Sequence, residues 1–375
     1  MNYLNLSHNF LTNIEHLPWK SLQYLYLRSN LLKGHLPIPP PSVLVFSVSN
    51  NKLTGENPAL ICNSIFINVL DVSNNSMTGE IPPCIRNFSY NLLVLNMGLN
   101  KLHGVIPMTF SKGNSLRNLN LNGNQLEGFL SPSLLNCLWL EVLDVGNNRI
   151  NGTFPYWLES LPVLQVLILR SNRFHGSIGS PKTTFPFQSL RIMDISNNEF
   201  CGILPEKYFE NLMAMTNITY ADKLKYMGEN YYQDSVVVTL KGLLIDMEII
   251  QTIFTTIDFS NNVSEGEIPQ LIGKLKSLKG LNFSHNRFNC SIPSSLANLS
   301  NLEWFDLSSN ELVGEIPQQL TNMTSLSMLN LSENRLFGRI PHGKQFDTFE
   351  NKSYLGNLGL CGVPLSKTCS NNEAP

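Results

Sequence analysis

The sequence predicts an α/β solenoid in which short parallel strands stack to form one continuous sheet. A motif of the form LxxLxLxxNxLxGxIP, most complete at residues 302–317, recurs along nearly the whole chain. Its asparagine returns at intervals of 21 to 26 residues, apart from a single interval of 64. A period of about 20 to 29 residues with this leucine pattern is the signature of leucine-rich repeats. We therefore predict a leucine-rich repeat solenoid, a curved horseshoe or superhelix with a parallel concave sheet and repeats of the LxGxIP type.

The positions of the motif have separate physical roles. Alternate residues of a strand point to opposite faces, so Phe305 and Leu307 are predicted to enter the core. Trp304 and Asp306 then point to the concave face. One repeat cannot bury its apolar side alone, but stacked repeats form a continuous core. Gly314 supplies a backbone conformation that residues with a Cβ rarely adopt.

The recurring asparagine is predicted to form a buried column. A buried amide must find partners, and its donors and acceptor can serve the turn backbones of neighbouring repeats. The column comprises Asn75, Asn100, Asn124, Asn148, Asn172, Asn198, Asn286, Asn310 and Asn334. Asn262 has the same register, so we expect it to be protected although it begins an N-x-S sequon.

The spacing divides the chain into four parts. Repeats one to nine occupy residues 1–215, an insertion occupies 216–251, and repeats ten to thirteen occupy 252–341. Residues 342–375 form a C-terminal cap and the start of a juxtamembrane segment. In the insertion, the β-branched run at 236–239 predicts a strand. The insertion is either a tolerated surface loop or a binding element on a rigid scaffold, and we favour the second interpretation.

Cysteines and glycosylation sequons indicate an extracellular setting. We predict two disulfides, Cys62–Cys84 between adjacent repeats and Cys361–Cys369 within the cap. Many N-x-S/T sequons occur, and the best acceptors, on the outer side or in the cap, are Asn87, Asn298, Asn322 and Asn351. Disulfides persist in oxidising compartments, so the protein is predicted to act outside the cell.

Charge and hydropathy exclude several classes of partner. The net charge is −2 and charged residues make up 14% of the chain, which gives no electrostatic basis for binding nucleic acid or an anionic membrane. No apolar run approaches the roughly 18 residues that a membrane span needs. Residues 1–10 already lie inside a repeat, so we expect a longer protein whose signal peptide and membrane anchor lie outside this chain.

No constellation of catalytic residues is recognisable in the sequence. The histidines are scattered over different repeats, without metal-ligand spacing or a nucleophile–base arrangement. Asp194 and Asp258 would be stack neighbours, at an exposed strand position that also holds Asp71, Asp144 and Asp306. Because aspartate recurs at this position, we interpret it as a repeat feature rather than a paired acid and base. We predict no enzyme, no metal and no cofactor.

Function is therefore predicted to lie in the concave face together with the insertion. The candidate ligand-binding residues are Arg170, Asp194, Asp258, Trp304 and Asp306 on the strands, with Tyr231, Tyr232 and Lys241 on the insertion. Arginine and tryptophan are enriched at binding hot spots. We expect Trp304 to be exposed, as the sharpest individual signal, although packing against a neighbour or the insertion is an open alternative.

Three features resemble the plant leucine-rich repeat receptor-like proteins. The LxGxIP consensus is similar to the repeats of that family. The segment from Tyr232-Gln233-Asp234 through Lys241-Gly242 to residues 254–260 resembles its island domain and following repeat. The tail, with Gly359-Leu360-Cys361-Gly362, resembles its C-terminal cap. The resemblance covers essentially the whole chain.

The resemblance implies a function at the plasma membrane. Family members are cell-surface receptors with one membrane span, a short cytoplasmic tail and no kinase, and many resemble immune receptors. This implies an extracellular peptide, protein or glycan ligand, and co-receptor and adaptor receptor kinases that dock on repeats twelve and thirteen. Two alternatives remain open: the ectodomain of a receptor kinase, and a secreted enzyme inhibitor, against which the island and the cap weigh.

Overall fold

A computed structural model describes residues 1–14, 17–56, 65–83, 90–107, 110–216, 225–229 and 231–369. The chain forms two compact units, Met1–Arg173 and Phe174–Pro375. The predicted disulfide between Cys62 and Cys84 and the sequon at Asn87 lie outside the described residues.

Each repeat contributes a three-residue inner strand, and neighbouring inner strands pair in parallel without a shift in register. In the first unit, Leu119 pairs with Leu95 on one side and Leu143 on the other. The inner strands of this unit are Tyr3–Asn5, Tyr24–Tyr26, Val45–Ser47, Val69–Asp71, Val94–Asn96, Asn118–Asn120, Val142–Asp144 and Val166–Ile168. Those of the second unit are Ile192–Asp194, Thr256–Asp258, Gly280–Asn282, Trp304–Asp306 and Met328–Asn330. The predicted leucine-rich repeat fold with its parallel sheet is confirmed.

A second row of parallel strands follows the turn after the inner strand in the repeats after the first. These outer strands are Lys33–Gly34, Lys52–Glu56, Ser76–Thr78, His103–Val105, Gln125–Phe129, Arg149–Gly152, Arg173–Ser177, Glu199–Ile203, Val263–Gly266, Arg287–Phe288, Val313–Glu315 and Arg335–Arg339. Most of them contain or directly follow a buried apolar residue, such as Leu126, Leu312 or Leu336, whereas Val263–Gly266 holds the buried Ser264 at this position. The glycine after it has positive φ, for example 87° at Gly314, which is the conformation predicted from the motif.

Short helices cover the outer side of the repeats. They include the 3-10 helices Pro132–Asn136, Tyr156–Ser160, Met213–Met215, Gln270–Lys274, Ser294–Asn298 and Gln318–Asn322, and the α-helix Glu206–Glu210. Several begin directly after a proline, such as Pro293 and Pro317, whose fixed φ directs the chain into the first turn. Leu296 and Leu320 then point inward and close the core.

The asparagine column bonds to the turn backbones, as predicted. The Asn310 amide nitrogen donates to the carbonyls of Phe283, Leu307 and Ser308 at 3.0, 3.1 and 3.2 Å. Its side-chain oxygen accepts the backbone N–H of Phe288 at 3.1 Å. One side chain therefore satisfies its own turn and two segments of the preceding repeat.

The insertion leaves the stack between two adjacent inner strands of the second unit. Ile192 pairs directly with Thr256, so the strand ladder continues across it. The insertion contains a short pair, Gly228–Glu229 with Tyr232–Gln233, and a hairpin of Val236–Leu240 with Leu243–Met247. The strand predicted at 236–239 is confirmed.

The C-terminal cap continues the outer strand row and closes the core. Its elements are Lys344–Thr348, Asn351–Ser353 and the strand Gly359–Cys361, which pairs with Arg335–Arg339. Cys361 and Cys369 form the expected disulfide. Phe346 and Tyr354 lie buried beneath these elements and cover the end of the apolar core.

Replacement of a column asparagine should destabilise the protein strongly. Asn310→Ala leaves three buried carbonyls and one N–H without their partner, so we expect a loss of about 3 kcal/mol in the free energy of unfolding. Urea unfolding followed by circular dichroism measures this. Asn289→Ala, at an exposed position, is the matched control and should change stability little. Equal losses in the two variants would contradict the role of the column.

Candidate ligand-binding surface

The first concave row is formed by the first residue of each inner strand, and most of it is closed to solvent. In the first unit its valines are each at most 1% exposed: Val45, Val69, Val94, Val142 and Val166. Asn118 and Thr256 in this row are polar but buried, whereas Tyr3 at the first strand is 57% exposed. Between these ends the row offers few accessible polar groups, so the candidate recognition chemistry lies mainly in the next row along the strands and in the insertion.

The second concave row of the second unit is a ladder of carboxylates, amides and hydroxyls. The Asp306 carboxylate accepts the N–H and the hydroxyl of Ser308 at 2.9 and 2.7 Å. It also accepts the Asn330 amide of the following repeat at 3.2 Å. Asp258 and Asn282 repeat this arrangement, with an amide-to-carboxylate distance of 3.2 Å. Asp306, Asn282 and Asn330 are half-buried and can reach a ligand.

The exposure expected for most of the aspartates is wrong. Asp71, Asp144, Asp194 and Asp258 are 6%, 1%, 2% and 4% exposed. Where a serine follows two residues later, as Ser260 follows Asp258, it folds over the carboxylate, while side chains of adjacent repeats close the sides. Arg170, also expected at the surface, is 4% exposed. Only the Asp306 member of the predicted acidic set is accessible on this face.

Burial changes the acidity of these carboxyl groups. It raises the pKa of Asp144 from 3.8 to about 6. Hydrogen bonds from Gly146 and Asn122, together with the positive charge of Arg170, act in the opposite direction. Burial likewise raises the pKa values of Asp71 and Asp258. These groups are therefore easier to protonate than a surface aspartate, and this follows mainly from the loss of water around them.

Trp304 is buried, so the expectation of an exposed hot spot is wrong and the packing alternative is right. The side chain is 2% exposed, and its ring stacks on Phe254 with centroids 5.9 Å apart and planes at 22°. The ring lies over Gly280 of the preceding strand, where an added Cβ would overlap it. A glycine within a strand commonly marks such a close approach. Gly280 and Phe254 were missed in the sequence, although the strand glycine was the available signal.

The insertion reaches the concave ladder. The Thr239 side chain on the first hairpin strand lies close enough to the Asp258 carboxyl group to oppose the rise in its pKa. Of the predicted residues, Tyr231 and Tyr232 precede the hairpin in the sequence and are half-buried, whereas Lys241 is exposed at the hairpin turn. The structure thus brings Thr239 and Asp258 together in one site. Nothing in the sequence indicated that Thr239 belongs to this site, because its β-branched run predicted only a strand.

The described sequons differ in exposure as the sequence predicts. Asn298, Asn322 and Asn351 are exposed, at or beside the outer helices and in the cap, and they remain predicted glycosylation sites. Asn262 is 7% exposed and its amide donates to three backbone carbonyls, including that of Ile195. Among the described residues, no helix has the length and hydropathy to cross a bilayer.

The packing of the Trp304 ring over Gly280 provides a test of the burial of Trp304. Gly280→Ala places a methyl group inside the volume of the ring, so Trp304 must leave its seat, and we expect a loss of about 2 kcal/mol in the free energy of unfolding. Tryptophan fluorescence should shift to longer wavelength as the ring meets water. The variant Gly280→Ala with Trp304→Leu serves as the control, because its spectrum reports the other tryptophans. An unshifted spectrum in the single variant would show that Trp304 is not held over Gly280.

Asp144→Asn should stabilise the protein at neutral pH but not in acid. Above pH 6 the Asp144 carboxylate is charged and buried in the folded protein, which lowers the free energy of unfolding. This destabilisation is lost as the pH falls from about 6, the pKa in the folded state, to 3.8, the pKa in the unfolded state. Asparagine occupies the same place at Asn96 and Asn120, so the repeat accommodates it. The rise in pKa corresponds to about 3 kcal/mol; allowing for one weakened hydrogen bond from Asn122, we expect a gain of about 2 kcal/mol at pH 7. Thermal unfolding at pH 7 and pH 4 measures it, and an equal gain at both would exclude ionisation as the cause.

Comparison with known proteins places the chain among plant proteins of the same architecture. The family model described as Leucine Rich Repeat matches residues 66–88, 115–137, 139–161, 189–210, 277–299 and 301–323. Receptor-like protein 35 from Arabidopsis thaliana is 44% identical over 280 residues, which cover 74% of this chain and 28% of that protein. The chain thus spans about a third or less of the length of the curated relatives that it matches.

Solved structures agree with these relatives. The PEPR1–AtPEP1 structure matches with a TM-score of 0.72 and 27% identity over 96% of this chain and 49% of that one. The Arabidopsis receptor kinase HAESA, solved with the peptide hormone IDA and the co-receptor SERK1, matches with a TM-score of 0.66 and 27% identity, covering 96% of this chain and 62% of HAESA. The curated relatives are receptor-like proteins by name. With its repeats, insertion and cap, the chain belongs to the plant leucine-rich repeat receptor-like proteins.

Proposed function

We propose that the chain is the ligand-recognising extracellular domain of a plant receptor that detects a peptide. The observation that carries this proposal is the approach of the insertion to the concave face, where the Thr239 side chain lies beside the Asp258 carboxyl group. This approach sets the hairpin beside the accessible ladder of Asn282, Asp306 and Asn330. A rigid scaffold and a loop element then share one surface, which is the usual arrangement of a recognition site.

The chemistry of the surface supports a peptide ligand. The ladder presents carboxylate and amide oxygens, which can accept hydrogen bonds from backbone N–H groups and from basic side chains. The exposed Lys241 at the hairpin turn adds one positive charge for a carboxylate of the ligand. The solved relatives named above bind the peptides AtPEP1 and IDA, which supports the same class here.

The biological role follows as part of the same proposal. The receptor would act in immune perception of microbial or endogenous peptides, at the plasma membrane, anchored by a segment outside this chain. It would signal through partner receptor kinases that contact repeats twelve and thirteen and the cap. The presence of the co-receptor SERK1 in the HAESA complex supports a partner of this kind.

A charge reversal on the ladder should abolish the response of the receptor. Asp306→Lys replaces a hydrogen-bond acceptor with a positive charge, which repels any basic group of the ligand. We expect the sensitivity of the receptor to the ligand to fall by about tenfold or more. The full-length receptor would be expressed in leaf tissue and challenged with fractionated microbial filtrates and extracellular plant peptides. Ligand-dependent co-purification of a receptor kinase is the readout.

Glu315→Lys, at an exposed outer strand, is the matched control and should respond as the unsubstituted receptor does. Equal surface abundance of all variants, measured with an epitope tag, separates recognition from folding. An unchanged response of Asp306→Lys to an active fraction would remove the ladder from the site. A receptor that responds to no peptide fraction would contradict the proposed ligand class.

A further inference from the structure

An N-x-T sequon lies on the outer strand row of the first unit, apart from the acceptors expected at the outer helices and in the cap. It reads Asn151-Gly152-Thr153 and spans the end of the strand Arg149–Gly152 and the residue after it. The side chains of Asn151 and Thr153 are both exposed. A sequon of this kind at the surface of an extracellular domain can accept an N-linked glycan.

The side-chain amide of Asn151 is available for modification, in contrast to the amides of several other sequons. The Asn262 amide donates to three backbone carbonyls, and those of Asn282 and Asn330 each donate to a carboxylate at 3.2 Å. A sugar on any of these nitrogens would displace such partners. Among the described residues, none accepts a hydrogen bond from the Asn151 side chain, so a sugar there displaces nothing.

An aromatic ring lies beside this sequon. Phe129 ends the preceding outer strand and pairs in register with Asn151. A Cβ at Gly152 would lie 3.2 Å from Phe129 Cδ1, so the ring lies over the glycine in the middle of the sequon. Val105 lies over Gly128 in the same way one repeat earlier. The stacking of the repeats therefore determines where the Phe129 ring lies, and this side chain is 60% exposed.

The exposed ring is suited to contact a sugar. A single exposed apolar side chain is ordinary on a protein surface, but Phe129 lies directly beside the nitrogen that a glycan would occupy. The face of an aromatic ring carries partial negative charge, and the C–H groups on one face of a pyranose ring carry partial positive charge. Another sequon, at Asn289, is preceded by Glu267 at the repeat position of Phe129, and it has no such platform.

We propose that Asn151 carries an N-linked glycan whose first sugar packs against the exposed face of Phe129. In the transfer, a bond forms between Asn151 Nδ2 and C1 of the sugar. The bond from C1 to the diphosphate of a lipid-linked oligosaccharide breaks, the lipid diphosphate leaves, and the amide nitrogen releases one proton. The glycan gives the outer strands of the first unit a hydrophilic cover, so protein partners contact other faces of this unit.

The site rests on the extracellular location that is part of the proposed function, because the transfer takes place in the secretory pathway. Occupancy is measured on the full-length receptor purified from leaf tissue, by protease digestion and mass spectrometry of the glycopeptides. We expect a glycan on the peptide that contains Asn151. Thr153→Ser preserves the sequon and should retain this glycan, whereas Thr153→Ala should lose it.

The contact with the ring is tested by the rate at which an amidase specific for N-linked glycans releases the Asn151 glycan from the folded receptor. The amidase must displace the first sugar from the ring, so we expect release to be about threefold faster in Phe129→Ser. Phe129→Tyr should release the glycan at the original rate. Val105→Ser removes a neighbouring exposed apolar side chain and is the matched control, with no change expected.

Heat-denatured samples of all variants should release the glycan at one common rate, since the contact exists only in the folded protein. Equal release from folded Phe129→Ser and from the unsubstituted receptor would overturn the contact with the ring. Faster release in Val105→Ser by the same factor would also overturn it, because the effect would then not be specific to the ring beside the sequon.

The other acceptors separate this inference from the proposed function. An unmodified Asn151 in a receptor that carries glycans on Asn298, Asn322 or Asn351 overturns the inference and leaves the function intact. A receptor without a glycan on any of the four overturns both, because it has not passed through the secretory pathway. A modified Asn151 in a receptor that responds to no peptide fraction supports the inference and contradicts the proposed ligand class.

Discussion

The hydrogen bonds of the buried asparagine column are the constraint on which the rest of the structure depends. A repeat of about 24 residues needs a tight turn after each inner strand, and that turn leaves carbonyls facing the core. The Asn310 amide satisfies three of them and accepts an N–H from the preceding repeat. Because each amide links its own turn to the repeat before it, the register of one repeat sets the register of the next. The short strands and outer helices then follow from this spacing.

The insertion shows how robust that register is. Asn262 accepts the N–H of Phe200 and donates to Ile195 across sequence separations of 62 and 67 residues, in the same geometry that other repeats achieve across about 22 and 27. The entropic cost of closing a loop grows only slowly with the number of residues in the loop. The scaffold therefore accepts an insertion at this point without losing a ladder bond.

Recognition by this surface is limited by how completely the concave side chains cover one another. Valines close the first row, serines fold over aspartates in the second, and Trp304 fills the space above Gly280. The buried carboxyl groups have raised pKa values where the loss of water dominates, as at Asp144. The polar groups of the second row that remain accessible to a ligand are few and half-buried, and the insertion adds exposed side chains such as Lys241.

The sequence by itself determined the solenoid, the repeat boundaries, the asparagine column and the strand at 236–239, because each depends on short-range spacing and local backbone preference. The cap disulfide between Cys361 and Cys369 also followed from nearness in sequence. Exposure did not follow, since whether Trp304 or Asp258 meets water depends on what the adjacent repeats and the insertion place beside it. Gly280 lies 24 residues from Trp304, and Thr239 reaches Asp258 only after the hairpin folds back. Those contacts were decided by the tertiary structure, because packing between separate repeats depends on side-chain shapes that a periodic pattern does not specify.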